Sequence, residues 1–277
     1  MAEHDLKLRV NLDGLVGQLQ TSLQAVINLT ALGLQSVDRV GELDLTLPGT
    51  SMQMAIGGPA LWETERRENE FRRWILVNGF RDAAEATGTL LEEVRRVLGV
   101  WRLVYELSRD GKIAAEDWNE EFVRKSKRFH RLGLPDKIAG LESNYGLTLD
   151  QIRIGHVLSI NAARNALVHR NGTVSERDAN MPEGLLMRWE KLGVYLTKDG
   201  EEREVIPPMV VEGGTELVIQ ARQKEKLFPL GAQVELTAQE FADVCWTLFV
   251  FGESTKQLVE KYGRARGVVF NSPTGAA

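Results

Sequence analysis

The stretch Asn161-Ala-Ala-Arg-Asn-Ala-Leu-Val-His-Arg-Asn-Gly172 brings chemically capable side chains to one helix end. At about 100° per residue, Asn161, Asn165 and His169 share a helical face with a drift of about 40° per step, and Arg164 is adjacent. A polar stripe therefore runs down an otherwise apolar helix. It offers amides to orient a ligand, a guanidinium matched to a phosphate, and an imidazole that can move a proton near neutral pH. Metal-free RNA cleavage needs such groups. One moves the ribose 2′-hydroxyl proton or protonates the leaving 5′-oxygen, and a cation meets the charge developing on phosphorus. Arg170 adds a further candidate for substrate contact. The competing explanation is structural, because Arg and His near a helix C-terminus also complement the macrodipole.

The remaining chemistry-bearing residues carry weaker signals. His4 stands near the N-terminus, and His156 falls in mid-helix on a different face from His169, so both read as structural or surface groups. His130 follows Arg124 at a similar spacing, but it closes a charge run with Lys125, Lys127 and Arg128. That run reads as a solvated face, and its four cations are secondary candidates for phosphate contacts. The single Cys245 sits among Val244, Trp246, Leu248 and Phe249, where a small buried hydrophobe is expected rather than a nucleophile. No phosphate-binding loop, nucleophile elbow, zinc helix or dinucleotide fingerprint appears, and no cofactor or metal is expected.

The elements that must position the stripe follow from periodicity. Leu12, Leu15, Leu19, Leu23, Val26 and Ile27 predict a helix over about 12–34, and glycine and proline from 41 to 59 predict a long irregular connection. Residues 1–60 therefore read as an N-terminal appendage. From residue 61, two apolar series through Phe71, Trp74 and Ile75 and through Leu90, Val94, Leu98 and Trp101 predict two long packed helices. A charged helix over about 117–131 ends before Gly133 and Pro135, and a short helix over 136–145 closes at Gly146. Asp150 is placed to cap the motif helix, and Gly172 to stop it. Strands are expected at 188–197, 204–206, 216–221 and 233–236, with an Asp199-Gly200 turn. Thr237 and Glu240 then form a capping box for a last helix ending near Gly263. The expected class is mainly α, a helical domain over 61–266 with a small antiparallel β insertion at about 185–236, followed by a disordered tail from 267.

Composition sets the outer bounds. The 277 residues carry a formal net charge of −5, 43% hydrophobic and 26% charged residues, as expected of an ordinary globular fold. The acidic balance gives no global attraction to nucleic acid, so any RNA contact must come from a local basic patch. No run approaches the roughly 18 apolar residues of a membrane span, and the first residues lack a secretory pattern. A cytoplasmic protein without membrane contact is the expectation.

Arg164-Asn165, followed by His169 and then Asn171-Gly172, resembles the Arg-polar-x-x-x-His signature of HEPN domains (higher eukaryotes and prokaryotes nucleotide-binding). These all-α proteins include many metal-independent ribonucleases. The likeness is strongest over about 134–178, and the long helices before and after the motif suit the same plan. The β insertion departs from it. The resemblance implies 2′-hydroxyl attack leaving a 2′,3′-cyclic phosphate and a 5′-hydroxyl. Arg164 would bind the scissile phosphate, His169 would transfer a proton and Asn165 would orient the site. It also implies a toxin–antitoxin or antiviral setting, an antitoxin or other defence-system protein as partner, and a homodimer with the site between protomers. Geometry points the same way: a five-residue separation on one helix gives about 7.5 Å of rise and about 140° of rotation, so one copy is expected to converge poorly. One imidazole also cannot be base and acid in a single concerted step, which a second copy would remedy. The competing functional class is a non-catalytic dimeric sensor or partner-binding module that recognises its partner through the β insertion. A helical scaffold without a site is the third.

Overall fold

In the computed structural model, the described residues are 9–10, 12–42, 64–110, 115–198, 201–205 and 216–270. His4, most of the expected irregular connection, the Asp199-Gly200 turn and residues 271–277 lie outside them. Among the described residues the chain is mostly helical, with a three-stranded antiparallel sheet ahead of the last helix.

Helix α1 (Asp13–Gln35) buries Val16, Leu19, Leu23, Val26 and Thr30, a three-and-four spacing that turns one face inward. That face joins the common hydrophobic core, so α1 is an integral layer and not the appendage expected from the sequence. Helix α2 (Thr64–Asp110) runs unbroken for 47 residues, where two helices were expected. No proline interrupts it, and its glycines serve close packing: a Cβ on Gly79 would meet Thr30 and Phe241 at 2.7 and 2.8 Å.

Helix α3 (Ala115–His130) returns along α2 with Phe129 buried and Arg95 of α2 held over the rings of Phe122 and Phe129. Helix α4 (Leu134–Tyr145) begins two residues earlier than expected, with Pro135 in its first turn, and ends on left-handed Gly146 as its sequence predicts. Helix α5 (Gln151–His169) begins where the Asp150 carboxylate accepts the N–H groups of Ile152 and Arg153. It buries Ile154, Val157, Ile160, Ala163, Ala166 and Leu167, so solvent reaches it only along a narrow stripe.

Strands β2 (Gly184–Lys198), β3 (Glu201–Glu204) and β4 (Glu216–Pro229) form a sheet in the order β3-β2-β4, with Val194 opposite Ile219 and Met187 opposite Lys226. β1 (Arg9–Val10) and β5 (Val269–Phe270) are two-residue strands paired in parallel. The near end of β2 is moored to the helices, because Arg188 N donates to Ser159 Oγ of α5 at 3.0 Å and Glu190 N donates to Thr247 Oγ at 2.8 Å. Thr247 belongs to α6 (Ala238–Arg264), which starts on the expected Thr237–Glu240 capping box.

Two expectations change here. Residues 233–236 make no strand but an isolated bridge from Gln233 to Thr173, because Pro229 and left-handed Gly231 turn the chain back onto the loop after α5. The tail is ordered further than expected: Phe270 packs edge-on against Trp101 with ring centroids 5.5 Å apart.

Candidate functional site

The C-terminal end of α5 is built to hold a side-chain cluster still. Beyond His169 the chain turns sharply, with Asn171 at φ 57° and Gly172 at φ 82°, and Gly172 N closes on Ala166 O at 3.0 Å. Arg73 of α2 braces that turn from outside, donating to both the backbone oxygen and the side-chain Oδ1 of Asn171. Nothing near the motif in sequence signals this brace, because it comes from 98 residues away.

On that frame the Arg164 guanidinium reaches along the helix. Its Nη1 donates to Asn165 Oδ1 at 3.0 Å and lies 3.3 Å from His169 Nε2. A single chain therefore brings Arg164 and His169 into contact, against the expectation of poor convergence. The long arginine side chain spans the offset that backbone geometry alone leaves open. Because guanidinium N–H groups only donate, His169 Nε2 must accept, which assigns the proton of the neutral ring to Nδ1. Arg164 Nε is shielded from solvent and has no partner, so part of its donor capacity is unspent.

Arg170 is different. Its Nε donates to Asp178 Oδ2 at 2.5 Å and its Nη2 to Oδ1, while Ser175 N and Oγ donate to the same carboxylate at 3.0 and 2.8 Å. Asp178 is 3% exposed. Arg170 is thus engaged in an ion pair that folds the loop after α5, and it does not line the cleft that Arg164 faces.

Asn161, Arg164 and Asn165 line a cleft of about 640 Å³, of the size of small-ligand sites. His130, Glu92 and Lys137 line it too. Lys137 Nζ donates to Glu92 Oε1 at 2.5 Å, and His130 Nδ1 lies 2.9 Å from Glu92 Oε2. Burial pushes the Glu92 carboxyl up, but the hydrogen bonds from Lys137 and His130 outweigh it, so the group sits below the usual carboxylate range and stays ionised. The sequence singles out neither Glu92 nor Lys137. His130 looked like part of a charge run, yet on α3 it lies about 80° from the Phe122 direction, at the border of the buried face. Lys137 carried a visible signal, since a cation one turn before Leu141 falls on an apolar stripe.

The four cations Arg124, Lys125, Lys127 and Arg128 are exposed on the outer face of α3 and do not line the cleft. Lys125 is paired with Glu121 at 2.6 Å. His156 is buried, and burial pushes its imidazole below the usual range. Cys245 is 1% exposed with its thiol pushed up to about 12 by burial, which suits the small-hydrophobe reading. Among the described residues no group of three or more His, Cys, Asp or Glu is arranged to hold a metal ion, and no helix is long and apolar enough to cross a membrane. No protein-family model, curated protein or solved structure matches the chain, so its own residues carry the functional reading.

Proposed function

We propose that the protein is a metal-independent endoribonuclease of HEPN type that cuts RNA by 2′-hydroxyl attack. The observation that carries this reading is the contact of His169 Nε2 at 3.3 Å with Nη1 of Arg164, a residue that lines the cleft. In the free protein the guanidinium keeps Nε2 as a lone-pair acceptor. When RNA enters, Arg164 turns to the scissile phosphate and Nε2 becomes free to take the 2′-hydroxyl proton. The 2′-oxygen then bonds to phosphorus, the bond to the 5′-oxygen breaks and a proton is delivered to that oxygen. The products are a 2′,3′-cyclic phosphate and a 5′-hydroxyl. Arg164 meets the charge that builds on the phosphorane, and Asn165 holds the guanidinium in place.

Cleavage of single-stranded RNA in EDTA tests this directly. Arg164→Ala and His169→Ala should each lower the rate by at least about 10²-fold while folding persists. Unchanged cleavage in both folded variants would sink the reading.

The resemblance extends the proposal to a homodimer, a cytoplasmic location and a toxin or antiviral defence setting, with an antitoxin or other defence-system protein as partner. A second reading, the non-catalytic partner-binding module, draws support from an exposed apolar row on the sheet. Leu192, Val194, Leu217 and Ile219 are 45, 37, 54 and 69% exposed there, and the register sets Val194 directly beside Ile219. An apolar row of this kind is typical of interaction surfaces. Absence of cleavage together with a defined protein held through this face would favour that reading.

A further inference from the structure

Cleavage by 2′-hydroxyl attack needs two proton transfers, and the attacking and leaving oxygens lie on opposite sides of phosphorus. One imidazole beside Arg164 serves one side only. We propose that His130 is the second proton-transfer group of the same site, supplied by the same chain. The inference rests on the ribonuclease reading and deepens it.

Three observations carry it. His130 and Arg164 line one cleft although they come from α3 and α5, so a phosphate held by Arg164 is approached from two helices. His130 is oriented: its Nδ1 is 2.9 Å from Glu92 Oε2, and Glu92 is itself fixed by Lys137, whose side chain is only 9% exposed. A ring held at Nδ1 by a carboxylate presents Nε2 outward in one tautomer, the arrangement that aims a catalytic imidazole. The ring is also open to solvent, with its side chain 74% exposed, whereas His156 is buried. Among the described histidines, His130 lines the cleft itself, and His169, outside that lining, touches the cleft's Arg164 at 3.3 Å.

The roles divide by environment. His169 Nε2 faces an obligate donor and is the lone-pair partner, so it takes the 2′-hydroxyl proton. His130, as its imidazolium, gives the Nε2 proton to the 5′-oxygen as the phosphorus–oxygen bond breaks. One proton enters at His169 and one leaves from His130. Solvent restores both before the next turnover. Lys137 adds a cation at the cleft wall, and Glu92 acts through His130 as a positioning residue.

The test compares the parent, His130→Ala and His169→Ala on two single-stranded RNA substrates in EDTA, one ordinary and one with sulfur in place of the bridging 5′-oxygen at the cleaved linkage. A thiolate leaves without a proton, so only loss of the acid is rescued. His130→Ala should keep a near-parental Tm, since its ring is exposed, and should lose at least about 10²-fold on ordinary RNA. On the thio substrate it should return to within about 10-fold of the parent, because the missing transfer is the 10²- to 10⁴-fold contribution of a positioned acid. His169→Ala should not recover. A folded His130→Ala that cleaves ordinary RNA at the parental rate, or that loses activity equally on both substrates, overturns the role of His130 and leaves the His169 reading intact. A parent that does not cut RNA, or one that is indifferent to His169→Ala, overturns the ribonuclease reading and this inference with it.

Discussion

Two arginines six residues apart, Arg164 and Arg170, show how little a residue type says until its partners are known. Both stand near the end of α5 beside plausible chemistry, and both could meet a phosphate. Arg170 is tied down: Asp178, almost fully buried, takes two of its donors. Arg164 keeps donors in reserve and faces a cleft with His169 at its side. The two should therefore fail differently. Arg170→Ala strands a buried carboxylate and should cost about 3–5 kcal/mol, the penalty of breaking a buried pair from one side. In a chain of this size that lowers Tm by roughly 10 °C in a thermal melt. Arg164→Ala should leave Tm close to that of the parent, since no comparable pair is broken. A melt in which Arg170→Ala is harmless would return that residue to the candidates for substrate contact.

At the scale of elements, the signals that could be read from sequence were the local ones. The Asp150 cap, the Thr237–Glu240 capping box and the stop after His169 depend on neighbours within a few residues, and each stands where the sequence put it. The motif itself was legible for the same reason. What escaped notice depends on distant partners. Glu92 meets His130 across 38 residues and Lys137 across 45, and no periodicity announces that three helices will pool those groups in one cleft. The apparent break inside α2 was misread because two apolar series can lie on one continuous helix that changes the neighbour it packs against. The outer face of α3 carries its own prediction. Its cations lie outside the cleft, so they can add affinity for RNA without taking part in the chemistry. Neutralising Arg124, Lys125, Lys127 and Arg128 together should flatten the fall of log binding constant with log salt by up to about 0.7 per lost phosphate contact, measured by titration of a short single strand. An unchanged slope would return these side chains to a merely solvated surface.

For the whole molecule, α1, α2, α5 and α6 share one core, so the motif end of α5 is carried on a rigid frame with the sheet moored to one side. A homodimer is proposed on this frame, but with His130 supplying the second imidazole the chemistry does not depend on it. Across a dilution series followed by mass distribution and by rate, activity per chain should stay level as dimers dissociate. A fall in step with dissociation would move the second proton transfer to a partner's His169 and contradict the role given to His130. The central claim, that the Arg164–His169 contact is the heart of an RNA-cutting site, is tested most directly by end-group analysis of a single-stranded RNA incubated in EDTA with the parent, Arg164→Ala and His169→Ala. The parent should leave 2′,3′-cyclic phosphate and 5′-hydroxyl ends, and each folded variant at least about 10²-fold fewer of them. An intact RNA with the parent, or the same ends at the same rate from both variants, would contradict it.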